Sequence, residues 1–350
     1  MKKTFTVLAV FAAGAASAQS SVTLFGIVDA TFAHGSGSVA SKTQLTNSGY
    51  NSSRLGFKGT EDLGGGLAAS FWLEGSALTD TGAGGATSTN NQTTGSTGGG
   101  GLTFNRRSTV SLSGAWGEVR LGRDYTPQFW NLAVFDPFGT NGVGTTQVLG
   151  STLGGPVAVR ASNTMGYFLP RNLGGFYGQV QHYLGENLSN AGATEKDGRG
   201  TSLRLGYAKG PVNVALSHAT TKYAAGDIRS TSLGGLWNFG VAKLMAEYSR
   251  DRVGAPASTT GTGGLIGGVV PVGAGEVRLA YSSYKVNSAG NPKSTKWALG
   301  YVHHLSKRTV LYTTFARVNN SGGASRSLNG AVTAANNSSS GYDFGVRHSF

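Results

Sequence analysis

The chain has 350 residues with 57 glycines and no cysteine, and only 13% of its residues are charged; 29 basic against 16 acidic side chains leave a formal net charge of +13. Glycine at more than twice its usual share argues against a helical protein, because each interior Gly costs a helix about 1 kcal/mol relative to Ala. The missing cysteine excludes a disulfide framework, a thiolate metal site and a Cys nucleophile.

In chain order, residues 1–18 read as a cleaved export signal. Lys2 and Lys3 supply the charge, Phe5 to Ala13 the apolar core, and Ala16-Ser17-Ala18 the small-residue cleavage site, so the mature chain is expected to run over 19–350 as one domain. After residue 18 no run of about 18 apolar residues occurs, so no helix is expected to span a bilayer, and a membrane form of this chain must be a barrel. Period-2 alternation then recurs. Residues 22–33 set Val22, Leu24, Val28 and Phe32 against Thr23, Asp29 and Thr31, and 66–78 set Leu67, Ala69, Phe71 and Leu73 against Ser70, Glu74 and Ser76. The same pattern returns at 201–209, 275–285 and 295–304.

The connections carry more information than any single strand. Tight turns are expected at 61–65, 115–116, 170–174, 210, 239–240, 271–274 and 305–307. Long Gly/Ser/Thr/Asn-rich stretches are expected at 34–50, 79–102, 125–159, 185–200, 251–263 and 319–339, with shorter ones at 222–228 and 286–294. About sixteen strands with short turns at one end and long loops at the other describe an antiparallel transmembrane β-barrel. Lipid cannot satisfy a free strand edge, so the first strand is expected to pair with the last. That last strand, Gly341 to Phe350, puts Tyr342, Phe344, Val346, His348 and Phe350 on one face and Asp343, Arg347 and Ser349 on the other.

Several segments together resemble the general diffusion porins of the Gram-negative outer membrane, most closely their anion-selective beta-proteobacterial branch: VTLFGIVDA (22–30), SRLGFKGTEDLGGGL (53–67), FNRRSTVSLSGAWGEVRLGRD (104–124), GEVRLAY (275–281), LGYVHHLSKRT (299–309) and FGVRHSF (344–350). The resemblance implies a sixteen-stranded homotrimeric barrel in the outer membrane with its third loop, about 125–159, folded into the pore as a constriction. It also implies that the terminal Phe350 is an assembly signal for the barrel-assembly machinery. A porin's chemistry is the electrostatics of its narrowest point, where arginines favour anions. Guanidinium suits that task because it stays charged at any physiological pH. In the similar anion-selective porins a stacked arginine ladder falls on Arg54, Arg106 and Arg160, with acidic positions at Glu74 and Asp136 facing it.

Arg54 shares the polar face of its strand with Lys58. Strict alternation points Arg107, Thr109 and Ser111 into the lumen and aligns Arg106 with Val110 and Leu112, so either a bulge re-aims Arg106 or Arg107 is the lumenal residue. Further lumenal cations by alternation are Arg120, Arg204, Lys243, Arg278, Lys296 and Arg347, which either attract anions or pair with Glu118, Glu276 or Asp343. Arg123 falls on the apolar face beyond Leu121, a candidate subunit contact.

Other chemistries find little footing. Gly64-Gly65-Gly66 has no following Lys-Ser/Thr and no helix start, so it is a turn and not a phosphate cradle. The six histidines lack metal-ligand spacing, no G-x-S-x-G elbow occurs, and the cations form no nucleic-acid motif. No cofactor, metal site or catalytic residue is expected. The expected partners are small anionic solutes, outer-membrane lipids including lipopolysaccharide, and two further copies of the chain. The competing readings are an outer-membrane barrel enzyme, such as a protease or lipase, and a secreted Gly/Thr-rich adhesin.

Overall fold

The computed structural model describes the backbone of residues 21–151, 153–255 and 258–350, and the side chains of all of these but 150 and 151. The export signal and its cleavage site lie outside the described residues. The wall opens with β1 (Ser21–Ser36), β2 (Lys42–Asn47), β3 (Arg54–Gly64) and β4 (Leu67–Ser76). A small hairpin, β5 (Thr87–Ser88) with β6 (Ser96–Thr97), stands apart in the next loop. The wall resumes with β7 (Arg107–Gly114) and β8 (Gly117–Tyr125). Two helices, α1 (Pro127–Val134) and α2 (Gln147–Ser151), lie in the third long loop. There follow β9 (Arg160–Phe168), β10 (Phe176–Tyr183), β11 (Gly200–Lys209), β12 (Val212–Thr221), β13 (Ile228–Asn238), β14 (Lys243–Val253) and β15 (Thr259–Val272). The last four are β16 (Gly275–Val286), β17 (Lys293–His304), β18 (Thr309–Ser321) and β19 (Ser339–Ser349).

Seventeen strands form one antiparallel sheet, in which β2 and β3 share a single place beside β1, so the wall has sixteen positions. The sheet closes as expected: β1 pairs with β19 from Ile27↔Ser349 to Ser36↔Ser340. At the seam Gly26 and Phe350 exchange both backbone hydrogen bonds, at 3.0 and 3.1 Å. A Cβ on Gly26 would sit 2.3 Å from the Phe350 ring, so a side chain there would force the terminal aromatic to shift.

Burial is inverted relative to a soluble protein. On β1 Val22 is 66% exposed and Leu24 55%, while Asp29 and Thr31 on the other face are 0% exposed. The large apolar side chains form the outer surface and the polar ones line the inside, as a barrel in lipid requires. The turn after β3 is made by Gly64, Gly65 and Gly66, all in the left-handed region at φ +80°, +61° and +78°, where nothing but glycine is unstrained.

Three expectations differ from the fold. The stretch 34–50 contains β2, which pairs with the upper half of β1 over Ala30–Gly35. The stretch 251–263 is mostly strand, because β14 runs to Val253 and β15 starts at Thr259; Thr and Gly there read as loop composition although they line a paired ladder. The third loop is partly helical, since Pro127 at the first helical position presets the backbone.

That loop is laid along the inside of the wall by small residues. Asn131 of α1 donates to the carbonyls of Ala215 and Ser232, both at 3.1 Å, and Ser202 donates to Gln128 at 2.5 Å. Phe135 occupies the space above Gly234. Further on, Thr146 donates to Glu247 at 2.9 Å, the Gln147 N–H to Ser282 at 3.0 Å and the Val143 N–H to Asp343 at 2.7 Å. Ser52 donates to Asn141 at 2.8 Å, joining the loop to the segment that links β2 to β3.

Candidate functional site: the lumenal arginine cluster

The wall breaks between β2 and β3 because Asp29 draws the intervening residues inward. Its carboxylate accepts the N–H groups of Tyr50 and Asn51 at 2.9 and 2.7 Å, and Ser53 Oγ donates to its carbonyl at 3.1 Å. The β1 backbone groups that a continuous partner strand would have satisfied are met by this fold-in. Arg54 is the first residue beyond it and starts β3.

Arg54 faces Glu74 of β4 at 3.5 Å, and Arg106 Nε reaches the same Glu74 oxygen at 2.6 Å. Glu74 also accepts Trp72 Nε1 at 3.1 Å. Arg106 Nη2 and Arg160 Nη2 both donate to the Tyr125 hydroxyl, at 2.5 and 2.8 Å, and Arg160 lies over the Tyr125 ring at 4.4 Å. The structure thus brings Arg54, Arg106 and Arg160 together around one carboxylate and one phenol. Three guanidiniums against one carboxylate leave a local excess of two positive charges.

The choice between Arg106 and Arg107 dissolves. β7 begins at Arg107, so Arg106 precedes the alternating strand and is free to turn inward, and no bulge is needed. Val110 and Leu112 are 57% and 42% exposed on the outside, while Arg107 lies inside over the Trp72 ring at 4.6 Å and 3.8 Å from Asp124. Lys58 stands over Trp72 and Phe25 at 5.0 and 5.4 Å. Lys58, Trp72, Arg107, Glu118, Arg120 and Arg171 line a recess of about 460 Å³ beside the cluster.

Asp136 is not brought to the arginines. It is 3% exposed and accepts the N–H groups of Phe138, Thr140 and Thr146 at 2.9, 3.1 and 3.0 Å, and so fastens the third loop to itself. Among the described residues it forms no ion pair. Burial pushes its carboxyl pKa up and the three N–H donors pull it back. Lys296, 2% exposed, is likewise sealed under the loop and donates to the Val143 carbonyl at 2.9 Å. Arg120 pairs with Glu118 at 3.0 Å and Asp124 at 2.6 Å, and Arg278 pairs with Glu276. Arg123 is occupied within the chain: it donates to the Asn105 carbonyl at 2.6 Å and to Ser162 at 2.8 Å.

Sequence reasoning missed the aromatic partners. Arg120 lies 4.0 Å from the Phe168 ring, Arg204 4.9 Å from Tyr177, and Arg278 and Arg347 4.6 and 5.5 Å from Tyr50. A cation over a ring face gains about 0.5–2 kcal/mol. The available signal was an aromatic in the polar register, as Phe25 is between Thr23 and Asp29 and Trp72 is between Ser70 and Glu74.

A closed sixteen-strand barrel, apolar outside and lined with charge inside, with a long loop laid along its inner wall, is the architecture of an outer-membrane porin. The family model described as Gram-negative porin matches residues 4–323, and the chain belongs to that family. It is 39% identical to "Outer membrane porin protein 32" of Delftia acidovorans over the whole of both chains. It is also 30% identical to an outer membrane porin protein of Bordetella pertussis, covering 89% of this chain and 93% of that one. Among solved structures it superposes on one titled "Anion-selective porin from Comamonas acidovorans" with a TM-score of 0.84 and 36% identity, covering 95% of this chain and 100% of that one. The protein is an outer-membrane porin of a Gram-negative bacterium.

Proposed function

We propose that the barrel passes small hydrophilic solutes by passive diffusion with a preference for anions, and that Arg54, Arg106 and Arg160 set that preference at the constriction. The observation that carries this reading is their convergence on Glu74 and Tyr125, which concentrates two net positive charges in a low-dielectric-walled lumen where each fixed charge counts for more than in bulk water. The 36% identical solved structure is titled an anion-selective porin, which supports the same sign. Lys58 and Arg107 extend the positive surface, and Glu74 tempers it. The anions are small and acidic, the assembly is a homotrimer, and the chain is exported through cleavage after residue 18. Phe350 serves as the signal read by the barrel-assembly machinery.

The test replaces Arg54, Arg106 and Arg160 together by Gln and measures the zero-current potential in a planar bilayer across a potassium chloride gradient. The expected result is a shift away from the chloride limit with the channel still open. A potential equal to that of the unaltered protein would remove these residues from selectivity.

A further inference from the structure

The third loop sets one large aromatic side chain in the lumen beside the arginines, and selection by charge gives it no task. α1 is held to the wall through Asn131, which donates to the carbonyls of Ala215 and Ser232 at 3.1 Å, and through Gln128, which accepts from Ser202 and donates to the Val157 carbonyl at 3.1 Å. Pro127, Gln128, Phe129, Asn131 and Leu132 of this helix are buried, whereas Trp130 is 36% exposed. At 3.6 residues per turn Trp130 lies about 200° around the helix from Gln128 and about 100° from Asn131. Fastening those two to the wall therefore turns the indole away from it, into the lumen. Trp72 Nε1 donates to Glu74 at 3.1 Å, but Trp130 Nε1 has no acceptor among the described residues.

The indole stands next to the group that holds the arginines. Its ring lies 5.1 Å from the Tyr125 ring at an angle of 53°, and the Arg160 guanidinium lies over that same phenol ring at 4.4 Å. The Tyr125 hydroxyl accepts from both Arg106 and Arg160. Support of the phenol does not account for the Trp. Phe129, 9% exposed, already stacks on Tyr125 at 5.2 Å and 14°, and the two guanidiniums fix its hydroxyl end. An indole left open to water beside an excess of positive charge makes a two-part surface, one part for a negative group and one for an apolar plane.

We propose that Trp130 makes the constriction discriminate among anions of equal charge in favour of aromatic carboxylates, the carboxylate meeting the guanidiniums of Arg106 and Arg160 while the ring lies against the indole. The inference deepens the anion reading of this lumen and rests on it. The chemistry of the two parts selects the class. An inorganic anion or acetate gains the charge contact without the ring contact, a neutral aromatic gains the reverse, and an aromatic cation is repelled by the guanidiniums. A ring contact of this kind, with the apolar area it covers, is worth about five- to tenfold in affinity.

The test reconstitutes the full-length protein in a planar bilayer and measures the concentrations of sodium benzoate and of sodium acetate that halve the chloride current. Trp130→Ala and Trp130→Leu both remove the ring, so a folding failure of one leaves the other, and Trp130→Phe restores a ring. In the unaltered protein benzoate is expected to act at about tenfold lower concentration than acetate. The Ala and Leu variants are expected to raise the benzoate value about five- to tenfold with the acetate value and the zero-current potential in potassium chloride unchanged, and the Phe variant to recover most of the loss. An unchanged benzoate value, or an equal shift for both anions, would overturn the proposal, the second by making Trp130 a support for Tyr125. A zero-current potential on the potassium side in the unaltered protein would overturn the anion reading and this inference with it. A chloride-side potential with benzoate and acetate equally effective would overturn this inference alone.

Discussion

At Glu74 a single carboxylate, 3% exposed, takes Arg106 at 2.6 Å, Arg54 at 3.5 Å and the Trp72 indole at 3.1 Å, so it both orients the guanidiniums and cancels part of their charge. Glu74→Gln keeps the shape and removes the charge. The expected outcome is a zero-current potential closer to the chloride limit, together with a loss of about 3 kcal/mol in stability from the unpaired buried partners, read from the unfolding midpoint. A shift toward the potassium limit would show that orientation of the arginines matters more than cancellation. Much of this was legible in the sequence: the polar register placed Arg54, Lys58 and Glu74 inside, and the family pattern singled out Arg106 and Arg160. What was not legible has a common cause. Tyr125 sits at the end of β8 where a strand becomes a loop, and Arg106 sits one residue before β7, so neither belongs to an alternating pattern. Asp136 was expected to face the arginines because the family resemblance matches it to an acidic position there. Its carboxylate instead meets three N–H groups of its own segment, a local choice that spacing alone does not reveal.

Among the elements, the third loop and the closing seam each depend on one feature. The loop is fastened by Asp136 within itself and by hydrogen bonds to Asp343, Glu247, Ser282 and Ala215 on the wall. Asp136→Ala leaves three N–H groups without their acceptor, and the two buried ones, of Phe138 and Thr146, each cost about 1–3 kcal/mol if nothing replaces it. The expected consequence is noisier single-channel current and a lower unfolding temperature, while steady traces at the original conductance would show that the wall contacts suffice. At the seam, a side chain on Gly26 would meet the Phe350 ring. Gly26→Val is therefore expected to reduce the amount of folded barrel nearly as much as deleting Phe350, measured by heat-modifiable gel migration; normal folded levels for both would release the terminal aromatic from any role in assembly. The strands and their faces were readable from alternation because the lipid and the lumen sort side chains on a strict period of two. The β2–β3 fold-in was not, since it is set by distant N–H groups donating to Asp29, and α1 carried only the local signal of Pro127, its place being set by tertiary contacts with β11–β13.

For the whole molecule, the inner face of the wall carries the charge that acts on the pore. The inner face stacks its cations on rings and pairs some of them with acids, leaving a positive lumen bounded by the third loop. Such a lumen concentrates anions over a Debye length of about 8 Å at 0.15 M salt. Raising the salt to 1 M shortens that length to about 3 Å, so anion preference is expected to weaken with ionic strength, which conductance ratios at several salt concentrations would follow; a preference independent of salt would point to steric selection. The central claim is that the lumen of this porin favours anions, and the most direct measurement is the zero-current potential of the purified protein in a planar bilayer under a potassium chloride gradient. Stepwise conductance with a potential near the chloride equilibrium value is the predicted result, and a potential on the potassium side would contradict it.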